Sequence, residues 1–214
     1  MGADCCAVDE CQGPGSGDDR YRRILWIALA INAAMFAVEI VGGLTAGSVS
    51  LAADALDFLG DAANYAISLA VLGMTLQRRA RAALLKGLSL GGLGLWVAGS
   101  TLANALAGTV PEARLMGAIG VAALVANVTV AVLLYAYRKG DANMRSVWIC
   151  SRNDAVGNVA VLLAAAGVFG TGAGWPDVIV AAIMATLSLT GAWRIVRHAL
   201  DEMRTGAPAS VGGR

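Results

Sequence analysis

Residues 53–68 read ADALDFLGDAANYAIS, and this segment decides the fold. Asp54, Asp57, Asp61, Asn64 and Ser68 recur at spacings of 3, 4, 3 and 4, so on a helix they form one polar stripe. An acidic stripe of this kind suits either the solvated face of a soluble helix or the interior face of a helix within a bilayer. The flanking segments, longer and more apolar than soluble helices, decide for the bilayer. Carboxylates at membrane depth are costly; they face a bundle interior or a water-filled path and mark routes for ions or protons.

Composition agrees. Of 214 residues, 57% are hydrophobic and 14% charged, against about 25% charged in an ordinary soluble domain. The net charge of +1 is no footprint for nucleic acid; what carries information is where the charges sit. Working outward from the acidic stripe, six apolar segments near the ~20 residues of a bilayer crossing lie at about 24–44, 50–75, 83–106, 115–137, 144–168 and 176–196. Arg20, Arg22 and Arg23 precede the first; Arg78, Arg79, Arg81 and Lys86 lie between the second and third or in the first turn of the third. Arg138, Lys139 and Arg145 lie between the fourth and fifth or in the first turn of the fifth, and Arg194, Arg197 and Arg204 close the sixth. The alternate loops TAGS, GTVPEAR and GTGAGWP hold only Arg114. The positive-inside rule therefore predicts an all-α integral membrane protein of six transmembrane helices with both termini cytoplasmic.

The expected organisation is a cytoplasmic tail over 1–19, a membrane domain over 20–198 and a short cytoplasmic end over 199–214. The tail, MGADCCAVDECQGPGSGDD, lacks the basic flank and apolar run of a signal peptide. Its Cys5, Cys6 and Cys11, placed in the reducing cytoplasm, read either as a soft-metal capture site or as incidental thiols of an unstructured tail.

The fifth segment, MRSVWICSRNDAVGNVAVLLAA, places Cys150, Asp154 and Asn158 at i, i+4 and i+8, again one helical face. It parallels Asp57-x3-Asp61 followed by Asn64. The two segments cross the membrane in opposite directions, so Asp57 is expected level with Asp154 and Asp61 level with Cys150. Three carboxylates and a thiol would then surround one divalent cation, a donor set within the zinc pattern. Asp54, Asn64 and Asn158 are accessory candidates, the two asparagines serving equally well as interhelical hydrogen-bonding groups.

The runs EIVGGLTAGSVSLAADALDFLGDAANY, SVWICSRNDAVGNVAVLLAA and WPDVIVAAIMA together resemble the cation diffusion facilitator family of divalent-metal transporters. The resemblance covers about residues 24–196. It implies six transmembrane helices and a metal site made by an H/D-x3-D pair in the second helix and another in the fifth, here Asp57 and Asp61 with Cys150 and Asp154. It implies a transporter of a bacterial cell membrane rather than an enzyme, with no catalytic residues and no cofactor beyond the transported ion. Zinc or cadmium is expected first, with cobalt, nickel, iron and manganese as further candidates, and protons as the exchanged partner.

Cys150 stands where the family pattern has His or Asp. The chain ends about eighteen residues beyond the last span, so a short form without the soluble C-terminal domain is expected, and any homodimer would form through the membrane domain. The only histidine, His198, reads as an interfacial residue near a helix C-terminus. Glu39 and Asp54 are expected to pair with Arg152, since an unpaired arginine in a bilayer costs ~2.5 kcal/mol or more; the alternatives are a proton relay or a second ion site. The glycines of KGLSLGGLGLWVAG are expected to allow close helix packing. Apart from transport, the remaining readings are a membrane metal sensor or store and a metal channel.

Overall fold

The computed structural model describes residues 19–70, 76–137 and 142–205, with side chains for all of these except 76, 79, 137, 142–150 and 205. The tail cysteines Cys5, Cys6 and Cys11 therefore lie outside the described residues.

Six long helices make up the fold: α1 (Asp19–Ala46), α2 (Val49–Ala70), α3 (Leu76–Ala107), α4 (Ala113–Leu134), α5 (Ala142–Thr171) and α6 (Trp175–Thr205). Even the shortest, at 22 residues, reaches about 33 Å at ~1.5 Å per residue, enough for a ~30 Å hydrocarbon core. Five of them are apolar enough to cross a membrane by composition. The exception is α2, which carries the three aspartates of the stripe. Large apolar side chains cover the outside: Leu106 is 81% and Phe169 72% exposed. That is the surface expected where lipid, not water, is the solvent.

The helices are longer than the expected spans. Arg78, Arg81 and Lys86 are part of α3, not of a connecting loop. The apolar pattern stops at the first charge, but a helix does not, because long basic side chains reach the interface along its surface. Lys86 goes further: it is buried.

α1 packs along α2, α4 along α5 and α3 along α6, while α2 also touches α3, α5 and α6. The acidic helix thus lies at the centre of the bundle, and its stripe faces protein. Apolar burial drives little association inside lipid, so close backbone approach must supply the packing. In the α3–α6 pair it does so as the sequence predicts. A Cβ on Gly87 would meet Val196 at 2.8 Å, and one on Gly94 would meet Leu189 at 3.0 Å.

The end of the bundle opposite the termini is bound together by polar contacts between its connections. Glu112 N donates to Ala46 O at 2.9 Å, and Asn104 Nδ2 to Gly47 O at 3.1 Å. A Cβ on Gly174 would overlap the Thr109 carbonyl oxygen. At the start of α2, Asp177 from the first turn of α6 accepts from Ser48 Oγ at 2.7 Å, Val49 N at 2.9 Å and Ser50 N at 3.0 Å. A helix begins with unsatisfied N–H groups. At α2 a carboxylate more than a hundred residues away satisfies two of them.

Candidate metal centre

The polar stripe of α2 divides into two layers. Nearer the end that carries the termini, Asp61 is buried and its Oδ2 accepts from Tyr65 Oη at 2.8 Å. Tyr65 Oη also lies 2.8 Å from Ser151 Oγ on α5. Asp154, three residues further along α5, interacts with Asp61 itself. Lys86 reaches in from α3: its Nζ donates to Asn64 Oδ1, and its charge acts on Asp61. The layer therefore holds two carboxylates from facing helices, a phenol and a hydroxyl as hydrogen-bonding partners, and one buried cation.

The second layer lies about two turns away along α2. Asp54 is buried; its Oδ2 accepts from Asn158 Nδ2 at 2.6 Å. Asn158 Oδ1 in turn accepts from Asn127 Nδ2 on α4 at 2.9 Å. Glu39 of α1, fully buried, faces Asp54. Asp57 falls between the layers, half-buried, and acts electrostatically on Glu39.

Asp61 and Asp154 are thus brought together; the paired motifs led to Asp154 level with Asp57 and Asp61 level with Cys150. Asp54 and Asn158 bond to each other in the other layer, and Asn64 is held by Lys86. Cys150 is part of α5, one turn before Asp154, but its side chain lies outside the described residues. Among the described residues no three His, Cys, Asp or Glu side chains converge as a metal group. His198 is exposed on α6.

The expected pairing of Arg152 with Glu39 or Asp54 does not form. Arg152 is exposed and donates to Asn153 Oδ1 at 3.1 Å, while Asp54 takes Asn158 and Glu39 faces Asp54. The reason is angular. Arg152 lies almost opposite Asp154 around α5, so the face that meets α2 turns it outward.

Tyr65, Ser151, Lys86, Asn127 and Asp177 were not foreseen as parts of these networks. Tyr65 continues the stripe at i+4 from Asp61, and Ser151 shares the Asp154 face, so helical spacing contained both. Asn127 is the lone amide in an otherwise apolar α4, itself a signal of interhelical bonding. Lys86 was hidden by counting it with the basic loop.

Residues 25–203 match the cation efflux transmembrane domain. Among curated proteins, the zinc transporter ZitB of Escherichia coli is 29% identical over 209 residues, covering 91% of this chain and 66% of that protein. The metal cation efflux system protein CzcD of Cupriavidus metallidurans is 24% identical over 201 residues, covering 88% and 64%. The cadmium, cobalt and zinc/H(+)-K(+) antiporter of Bacillus subtilis is 22% identical over 217 residues, covering 93% and 68%. The chain thus spans just under two thirds of the length of the E. coli protein. Its apolar helices and bacterial relatives make it a multi-pass protein of the bacterial cell membrane. With the family match running from α1 to α6, the chain belongs to the cation efflux family.

Proposed function

We propose that the protein moves a divalent transition metal, zinc or cadmium first, out of the cytoplasm by alternating access, in exchange for protons. The observation that carries this reading is the meeting of Asp61 and Asp154 from α2 and α5 inside the bundle. Asp57 lies one turn from Asp61, and Cys150 one turn from Asp154. Two carboxylates from facing helices give a cation a seat that a small rocking of one helix against the other opens to either side. Carboxylates and a thiol bind metal only when deprotonated, so protons compete for the same groups and leave as metal enters. The basic residues at the end that carries the termini support a cytoplasmic placement of both. The names of the zinc transporter ZitB and of the cadmium, cobalt and zinc antiporter support the choice of metals.

Lys86 has a role within this reading. An empty site of a buried and a half-buried carboxylate needs a compensating charge, and a tethered ammonium beside Asp61 supplies part of it until metal arrives.

The test is metal uptake by proteoliposomes under an imposed pH gradient, across zinc, cadmium, cobalt, nickel, iron and manganese. Transport requires gradient-dependent flux that Asp154→Ala abolishes for every metal. Flux that ignores the gradient would indicate a channel, and metal binding without flux a sensor or store. Undiminished flux in Asp154→Ala would place the site elsewhere.

A further inference from the structure

Among the described residues, five buried side-chain oxygens inside the bundle have no donor aimed at them: Asn32 Oδ1, both carboxylate oxygens of Glu39, Asp54 Oδ1 and Asn127 Oδ1. All five are acceptors. Buried polar atoms in native proteins are nearly always satisfied, by protein or by ordered water. An interior that offers acceptors without donors is therefore short of something positively polarised. The shortage is most acute at Glu39, which is 0% exposed and whose hydrogen-bonding neighbour among the described residues is the Asp54 carboxyl, a group with no donor of its own unless one of the two holds a proton.

The charged groups that act on Glu39 are Asp54 and Asp57, both from α2 and both acidic. From α4 and α5 the layer receives only amides, Asn127 and Asn158. The amides form a directed relay. Asn127 Nδ2 donates to Asn158 Oδ1, so Asn158 presents its own Nδ2 to Asp54 Oδ2 and leaves Asp54 Oδ1 without a donor. Two facing carboxylates cannot donate to each other while both are ionised, and burying them so is costly unless a cation joins them.

We propose that Glu39 and Asp54 form a second cation site, distinct from the Asp61 and Asp154 cluster, which binds a hard monovalent cation, a proton or an alkali-metal ion, in exchange for the transported metal. Donors that are oxygen alone favour hard cations over thiophilic ones. Asp57, between the layers, links the sites: a cation bound on the Glu39 side offsets part of the negative field that metal meets on the Asp61 side, so the two occupancies oppose each other.

The exchange role rests on the transport reading above; the site itself does not. Its test therefore begins with binding to the purified full-length protein. Saturable binding of radioactive sodium or rubidium identifies an alkali ion; a protonated-carboxyl band in the infrared spectrum at neutral pH identifies a proton. Glu39→Gln and, independently, Asp54→Asn should each remove whichever signal the parent shows, and Asp154→Asn should retain it. Zinc affinity in Glu39→Gln should stay within about threefold of the parent, while zinc flux in proteoliposomes depends less steeply on the counter-gradient than in the parent. The proposal is overturned if the parent shows neither signal, or if Glu39→Gln loses zinc binding as Asp154→Asn does. Parent protein that shows the signal and binds zinc but gives no flux would refute the transport reading and leave the second site standing.

Discussion

Replacing Asp177 by alanine tests the join between α6 and α2. The side chain is 1% exposed and takes three hydrogen bonds, from Ser48 Oγ, Val49 N and Ser50 N, at 2.7 to 3.0 Å. Alanine removes all three. Ser48 can turn toward Ser50 Oγ, already 3.4 Å away, but the two N–H groups have no such recourse, and each buried unsatisfied donor costs about 1–3 kcal/mol. The negative charge at the helix N-terminus is also lost, worth about 0.3–1 kcal/mol. The total is about 2–7 kcal/mol. Asparagine keeps one carbonyl oxygen, which serves either the Ser48 and Ser50 pair or Val49 but not both, and points its amide at a donor; it should cost about 1–3 kcal/mol by the same accounting. Equilibrium unfolding in mixed micelles with increasing denaturing detergent gives the comparison, with α2 order followed by hydrogen exchange at Val49 and Ser50. An alanine variant within about 1 kcal/mol of the parent, or an asparagine variant as costly as alanine, would refute the capping role.

Lys86→Met removes the buried ammonium beside Asp61, and at an effective dielectric near 20 this should tighten zinc binding by about 1–2 kcal/mol, roughly 5- to 30-fold in calorimetric titration; unchanged or weaker binding would make Lys86 a purely structural donor to Asn64. Cys150→Asp replaces a soft ligand with a hard one at unchanged spacing. Competition assays should then show cadmium losing more than zinc and manganese or iron gaining relative to both, whereas an unchanged ranking would make Cys150 a packing residue. Single cysteines at Arg81 and Lys139 should label only from the cytoplasmic side and one at Thr109 only from the other; any reversal contradicts the proposed orientation. Deleting residues 1–19 should weaken apparent affinity for thiophilic metals and leave maximal flux nearly intact. Loss of flux in a folded deletion would make the tail part of the pathway.

The number of helices and the importance of α2 were readable from residue order alone, because hydrophobic period and length are local properties. The facing of Asp61 and Asp154 was half readable. Spacing put each on the face that meets the other helix, but the level at which two helices meet depends on tilt and crossing angle, which a count of residues cannot fix. Arg152 failed for a related reason: a rule about the cost of buried charge says that arginine needs company, not which way its helix is turned. Asp177 could not have been found, since its partners at Ser48, Val49 and Ser50 lie more than 120 positions earlier and two of them are backbone groups with no sequence signature.

The pairing of α3 with α6 constrains the order in which the bundle can be completed. As the chain is made, α3 enters the lipid well before its partner exists. The face that carries Gly87 and Gly94 must wait through the synthesis of α4 and α5 before Val196 and Leu189 arrive to cover it. Small residues expose backbone to hydrocarbon without side-chain contacts, so that interval is spent without the packing that holds the pair in the finished bundle. The sixth helix is thus the one that closes over the third.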